Sequence, residues 1–344
     1  MEESRRAKGN PHQTVKGITV ADLMGILLKA AFTSHPVERK GIMFVNNSRP
    51  STHAMLGTTL GAMMISFSAV WVKLAHVTPT VSAFYRVFFG GIFLLAILLA
   101  GKEKLWRGWP CLRLSLLAAI FFALDLYTWH RSIAYVGPGL ATILGNFEVF
   151  LVPAVGVVLF RERLSPRFVI SVPLAVTGLF MIVGLRWGQL SPDYRIGIYY
   201  GLSTALFYTG FLIALRKLQS HPSKPTATLS LMVVSFSTSL YLALETIRAG
   251  ESFAIPDLQS GLSLVALGLM CQTGGWLLIT RSLPRIPAAI AGLILLLQPS
   301  LSFVWDVLFF NRATSTMAWV GVVLTLSAIY LGATSGRKVP ATSV

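Results

Sequence analysis

The chain contains ten apolar runs of about 20 residues, and this feature restricts its fold more than any other. A helix rises about 1.5 Å per residue, so about 20 residues cross the hydrocarbon core of a bilayer. The runs are continuous in Leu, Ile, Val, Phe and Ala and do not alternate apolar with polar residues, which excludes barrel strands. They span 54–73, 80–100, 112–130, 138–160, 167–185, 196–215, 227–247, 259–280, 287–310 and 315–334. The sequence therefore predicts an all-α integral membrane protein with ten transmembrane helices.

Composition and charge agree with a bilayer as the surroundings. Only 12% of the 344 residues are charged and 54% are hydrophobic, too few charges to cover a soluble protein of this length. The net charge of +16 is spread over separate loops, which indicates attraction to a lipid bilayer and argues against a nucleic-acid partner. With the N-terminus inside, the inner loops carry about twice the Lys and Arg of the outer loops, so both termini are predicted to be cytoplasmic.

The two ends of the chain are predicted to be cytoplasmic tails. Residues 1–53 are polar and basic, and their one apolar stretch, 17–32, is short. Its apolar side chains recur at helical spacing, which favours an amphipathic helix on the inner leaflet. The alternatives are a disordered tail or a translation start at Met43 or Met55. Residues 335–344 form the second tail.

An internal repeat relates the two halves of the chain. A shift of about 150 residues lays 131–160 on 281–310 and places Glu148 on Gln298. The halves, 54–185 and 196–334, hold five predicted helices each. Because five is odd, the second half crosses the membrane in the opposite sense, and inverted repeats of this kind are common in secondary transporters. A slightly different shift pairs Gly57 and Gly61 with Gly197 and Gly201.

Four stretches resemble the drug/metabolite transporter superfamily with two EamA repeats, over about residues 54–334. They are FYRVFFGGIFLLAILL in the second helix, RSIAYVGPGLATIL before the fourth, FRERLSPRFVISVPLAVTGLFMIVG leading into the fifth and LILLLQPSLSFVWDVLFF in the ninth. The resemblance implies a secondary-active transporter in a bacterial inner membrane. It implies alternating access and export of small metabolites such as amino acids, or of drug-like amphipathic solutes.

The chain departs from the family pattern in the fourth and ninth helices. The family usually has a proline where Glu148-Val149 stand, and a glutamate-proline pair where this chain has Gln298-Pro299. The intramembrane carboxylate has therefore moved from the second repeat to the first.

Three charged residues inside the apolar runs are the main candidates for a site: Arg86, Asp125 and Glu148. An unpaired charge at the centre of a bilayer costs roughly 2.5–3.5 kcal/mol, so such residues usually serve a function. We expect Arg86 to bind an anionic group of a small-molecule substrate. Glu148, with Asp125 as second candidate, is expected to bind an amine or to carry a coupling proton. The alternative is that Arg86 pairs with either carboxylate and fixes helix packing.

Further polar and aromatic side chains extend this prediction. Rings that wall a cavity favour aromatic or cationic solutes. The additional substrate-binding or coupling candidates are Asn146, Gln298, Asp306, Trp276 and Tyr208. In contrast, His76 and His130 stand at predicted helix ends and are expected to be interfacial.

Motifs of catalysis and nucleotide binding are missing from the sequence. It contains no GxxxxGK[ST], HExxH, CxxC or GxSxG, so we expect no enzyme activity, no cofactor and no metal, and an ion or solute gradient as the energy source. Cys111 and Cys271 are expected to be packing residues. Two other classes stay open. A membrane-embedded, lipid-acting enzyme would need acids and histidines clustered at one interface, and a receptor or scaffold would not need charges inside the bundle.

Overall fold

The structure, a computed structural model, describes residues 52–151, 154–155, 165–183, 190–219, 222, 225–282, 294–295 and 297–334. All of them belong to one compact unit, residues 40–344. The predictions for the N-terminal tail up to residue 51, for the C-terminal tail 335–344, and for most of 152–164 and 283–296 lie outside the described residues.

Every regular element in the described part of the chain is helical, as predicted. In chain order they are α1 Thr52–Ser66, α2 Ser68–Leu74, α3 Pro79–Ala100, α4 Trp109–Val136, α5 Pro138–Gly145, α6 Pro166–Val183, α7 Pro192–Gln219, α8 Ala227–Arg248, α9 Leu258–Ala266, a π-helical segment Leu267–Gly275, α10 Trp276–Ser282, α11 Leu297–Phe310 and α12 Thr316–Thr334.

Six described helices are long and apolar enough to cross a membrane. They are Thr52–Leu74, Pro79–Ala100, Trp109–Val136, Pro192–Leu215, Ala227–Arg248 and Leu258–Ser282. The other four predicted spans contain shorter apolar helices within the described residues, namely Pro138–Leu151, Pro166–Ile182, Leu297–Phe310 and Thr316–Gly332. The chain is thus a multi-pass membrane protein.

One predicted helix is interrupted within its continuous apolar run. The fourth run starts as α5, which ends at Gly145, and residues 146–147 form a turn before a further helical turn at 148–151. Asn146 caps α5, because its side-chain amide donates to the Thr142 carbonyl at 2.8 Å. Phe147 N–H then bonds to Leu144 O, three residues back, at 3.1 Å. This tighter spacing of hydrogen bonds interrupts the α-helix.

A second predicted helix continues further than expected. The run 112–130 was expected to end at His130, but α4 extends to Val136 and stops at Gly137, whose φ is +85°. The extension tolerates polar residues since Ser132 Oγ donates to Gly197 O at 2.8 Å and Arg131 donates to Thr80 Oγ1 at 3.0 Å. His130 is 0% exposed and lies six residues before the end of α4, and its predicted interfacial position stays a prediction.

The helices pack mainly in pairs drawn from the two halves of the chain. The most extensive contacts join α4 to α7, α6 to α12 and α3 to α8. Further contacts join α5 to α11 and α3 to the π-helical segment. Arg86 of α3 and Asp125 of α4 are buried in the interior of the bundle, where α3 packs on α8 and the π-helical segment and α4 packs on α7.

Candidate functional site

Arg86 is held in the interior by three elements other than its own helix. It is 5% exposed, and its Nε donates to Gln272 Oε1 of the π-helical segment at 3.3 Å. The Gln272 amide in turn donates to Ser235 Oγ of α8 at 3.1 Å. The guanidinium lies 5.3 Å from the ring centroid of Trp129 on α4, a favourable cation–π distance. These contacts fix the guanidinium in place.

Asp125 lies on α4, one helical turn before Trp129, and is 6% exposed. Its charge interacts with that of Arg86, and an opposite charge lowers the cost of burying both. Among the described residues, however, the ion pairs within 4.0 Å do not include these two side chains. The two charges therefore face each other without a direct ion pair.

Glu148 follows directly on the break in the fourth apolar run. Its carboxylate is approached by the backbone N–H groups of Glu148 and Val149, and its charge interacts with that of Asp125. Its Oε2 is buried and has no hydrogen-bond partner among the described residues. Leaving a buried acceptor unsatisfied costs about 1–3 kcal/mol, and more for a charged group. The unsatisfied oxygen is thus available to a proton or to a ligand.

Aromatic side chains form one wall beside these charges. Tyr208 of α7 interacts with the charges of Glu148, Asp125 and Arg86. Its ring centroid is 6.4 Å from that of Trp276 on α10. The Trp276 indole N–H is buried and lacks a hydrogen-bond partner within the part of the chain that the structure describes.

The structure therefore brings together four of the predicted site residues, Arg86, Asp125, Glu148 and Tyr208, with Trp276 against Tyr208. Two other predicted site residues are half-buried. Asn146 forms the break directly before Glu148, and Gln298 lies in the first turn of α11.

Asp306 lies in a separate polar contact. It is 1% exposed, and its Oδ2 accepts from Arg312 Nη1 at 3.0 Å and from Gly139 N–H at 3.1 Å. It thereby ties α11 to the start of α5. Its predicted part in substrate binding stays a prediction.

Gln272 and Trp129 position Arg86. The sequence singled out Trp129 only as one of several rings that could line a cavity, and it did not single out Gln272. Gln272 was detectable as an amide inside the predicted span 259–280. Its partner was not, since α3 and the π-helical segment are about 186 residues apart in the chain. No group of three or more His, Cys, Asp or Glu that could hold a metal occurs among the described residues.

A small cavity lies away from the charged residues. It has a volume of about 40 Å³ and is lined by residues that include Arg107, Cys111, Ser115 and Pro225. Cys111 precedes Asp125 by fourteen positions on α4, about 20 Å along the helix axis. The cavity therefore belongs to the other end of α4 and does not reach the charged residues.

Long apolar helices enclose buried charges of both signs beside aromatic side chains. This arrangement is that of a polytopic membrane protein with a polar interior. The chain belongs to the EamA-like transporter family, whose model matches residues 52–184 and again 195–334. It is thus a membrane transporter.

Two known proteins are similar to the chain. The "Uncharacterized transporter YwfM" of Bacillus subtilis (strain 168) is 22% identical over 270 residues, which cover 76% of this chain and 86% of that protein. A solved crystal structure of a protein aligns with a TM-score of 0.59 at 20% identity, over 81% of this chain and 95% of the other. The structural likeness supports the helical fold alone.

Proposed function

We propose that the protein is a secondary-active exporter of small zwitterionic metabolites such as amino acids, or of drug-like amphipathic solutes. The observation that carries the proposal is that the charge of Asp125 interacts inside the bundle with that of Arg86 and with that of Glu148. One Glu148 oxygen has no hydrogen-bond partner within the described part of the chain. A cation and two carboxylates at one place match the two ends of a zwitterion. The aromatic wall of Tyr208 and Trp276 accommodates its side chain.

Proton coupling is the proposed energy source. The charges of Glu148 and Asp125 repel each other, and like charges in a low dielectric favour protonation of one of the two carboxylates. A substrate amine and a proton would then compete for the same carboxylates. Competition of this kind links uptake of one to release of the other.

Pseudo-symmetric contacts support ten spans arranged as two inverted repeats. A Cβ on Gly57 of α1 would lie 2.5 Å from Ser282 Oγ of α10. Likewise, Gly197 of α7 accepts a hydrogen bond from Ser132 of α4 at 2.8 Å. The repeat aligns Gly57 with Gly197 and Ser132 with Ser282, so at both places a glycine of one half lies against a serine of the other. Equivalent halves around a central site suit alternating access.

Loop contacts close the bundle at the end where α2 stops and α3 starts. His76 Nδ1 lies 2.8 Å from Asp257 Oδ2, and Thr78 Oγ1 donates to Glu251 Oε2 at 2.5 Å. Tyr85 Oη donates to Phe253 O at 2.7 Å. We call these contacts the latch. With both termini in the cytoplasm of a bacterium, the latch lies on the outer face of the inner membrane, so its opening would release an exported solute.

Flux into proteoliposomes tests the function. The wild-type protein should move at least one solute from a panel of L-amino acids and amphipathic cations faster than empty vesicles do, and an imposed proton gradient should accelerate it. Absence of flux for the whole panel would count against transport of these classes.

Glu148→Gln tests the site. We expect it to insert and fold while losing proton-driven flux, because the amide cannot take up a proton. Glu245→Gln is the matched control, since Glu245 lies near the end of α8 and pairs with Arg248 at 2.6 Å, away from the cluster. Wild-type flux in Glu148→Gln would remove Glu148 from the mechanism.

A further inference from the structure

Unpartnered polar atoms collect one helical turn from Arg86, on the side of the latch. His130 is 0% exposed and Ser82 is 1% exposed. Neither ring nitrogen of His130, nor Ser82 Oγ, nor Trp71 Nε1 has a hydrogen-bond partner among the described residues. Buried polar groups in folded proteins are nearly always paired, so each exception requires an explanation.

Ser82 and His130 approach Arg86 from two helices. On α3, Ser82 precedes Arg86 by four residues, and side chains at that spacing share one face of a helix. On α4, His130 interacts with the charge of Arg86 and with that of Arg131. Since α3 runs away from the latch and α4 runs toward it, both side chains lie between Arg86 and the latch.

Trp71 approaches from α2. It follows Ser68 by three residues on that helix, and the Ser68 hydroxyl lies against the Cys271 thiol. Cys271 in turn interacts electrostatically with Arg86. Because α2 runs toward the latch, Trp71 lies one helical turn nearer to the latch than Ser68.

All four of these side chains, Trp71, Ser82, His130 and Arg86, can donate hydrogen bonds. An indole N–H and a guanidinium only donate, a hydroxyl donates one proton, and a neutral imidazole donates from one nitrogen. None of the four carries a negative charge. Asp125 precedes Trp129, the ring under Arg86, by one turn of α4 and so lies further from the latch, and its charge interacts with that of Glu148. The latch carboxylates Glu251 and Asp257 accept hydrogen bonds from Thr78 Oγ1 and Ser260 N–H. A donor-rich site beside a buried cation is complementary to a carboxylate.

We propose that Trp71, Ser82 and His130, together with Arg86, form a carboxylate subsite for the transported zwitterion. The proposal rests on the proposed function, and it adds the substrate's orientation. The carboxylate points toward the latch, whereas the amine points toward Asp125 and Glu148. An amino acid then lies along the axis of the bundle with its side chain free to reach the aromatic wall.

Matched substrate analogues test the subsite. The probes are the L-amino acid that gives the largest proteoliposome flux, its carboxamide, which lacks the carboxylate, and its N-acetyl derivative, which lacks the charged amine. Each is used as a competitor of the labelled amino acid, and the ratio of half-inhibitory concentrations of amide and free acid is recorded. This ratio is internal to each sample, so it does not depend on how much protein has inserted.

His130→Leu and Ser82→Ala should each lower the preference for acid over amide by about tenfold, as expected for loss of one hydrogen bond to a charged group. His130→Gln, which keeps a donor, should recover part of it. Ser115→Ala is the control, because it also removes a buried hydroxyl of this bundle, but one that bonds to its own helix at Cys111 O, 2.8 Å away.

The outcomes separate the two proposals. No flux of any amino acid in the wild type would overturn the proposed substrate class. Amino-acid flux with an unchanged acid-to-amide preference in both His130→Leu and Ser82→Ala would overturn the subsite alone. Loss of preference for acid over the N-acetyl derivative in these variants, with the amide ratio intact, would reverse the proposed orientation.

Discussion

Substitution at the buried ion pair of Asp306 and Arg312 tests whether Asp306 serves the fold or the binding site. Asp306 Oδ2 lies 3.0 Å from Arg312 Nη1 and 3.1 Å from Gly139 N. Arg312 Nη1 also donates to Val136 O at 2.7 Å. The pair thus joins α11 to the α4–α5 turn, and we expect its loss to lower stability before it affects transport.

The magnitude follows from burial. The Asp306 side chain is 2% exposed and that of Arg312 is 16% exposed. Removing one partner of a buried pair costs about 3–5 kcal/mol, because the other charge stays buried. For Arg312→Met we expect the lower end, about 3 kcal/mol, since the pair retains some contact with solvent. Asp306→Asn keeps an acceptor for Gly139 and should cost less, about 1–2 kcal/mol.

A double-mutant cycle, measured as the free energy of unfolding in mixed detergent with added SDS, provides the assay. The double variant should be more stable than Arg312→Met alone, which requires a coupling energy larger than the cost of Asp306→Asn, about 2–3 kcal/mol. Additive effects would refute the ion pair. Flux lost in Asp306→Asn at wild-type stability would instead place Asp306 in the binding site, as the sequence predicts.

Three further predictions concern stability. Gly137→Ala should cost about 1–3 kcal/mol in unfolding measurements, because φ is +85° there and the new Cβ would lie 2.8 Å from a carboxylate oxygen of α11. Gly178→Leu should lower the thermal unfolding midpoint, since its Cβ would lie 2.8 Å from a carbonyl of α12. The pKa of Asp257 is lowered by the Ser260 N–H and by His76. Wild type should therefore be more stable than Asp257→Asn above the ordinary aspartate pKa. This difference in stability should disappear as the pH falls below that pKa.

Hydropathy predicts the helices well because each helix in a bilayer satisfies its own backbone hydrogen bonds. It predicts their interruptions poorly. The break before Glu148 is encoded by Gly145 and Asn146, residues typical of a helix C-terminus. A hydropathy average over about 20 residues hides them, because their neighbours are strongly apolar. The extension of α4 was missed for the opposite reason, since Arg131 resembles a loop residue until its partner Thr80 is known.

The charged members of the candidate site were predictable, because a charge in an apolar run stands out against its neighbours. The side chains that position them were not. Gln272 and Trp129 are unremarkable in sequence, and both matter only because tertiary packing brings them to Arg86. Asp306 gave the same sequence signal as Asp125, yet Arg312 lies six residues further on and neutralises it. A local sequence pattern identifies buried charges but does not identify their partners.

The buried acids Asp306 and Glu148 differ in whether their carboxylate oxygens have hydrogen-bond partners. Asp306 has both a cation and a backbone donor, so nothing further is required to stabilise it. Glu148 Oε2 and the His130 nitrogens have no partner among the described residues, although burial makes that arrangement costly. Such cost is tolerated where a group must change partners during a cycle. Under the proposed function, we therefore expect the substrate and its coupling proton to bind at His130, Arg86 and Glu148.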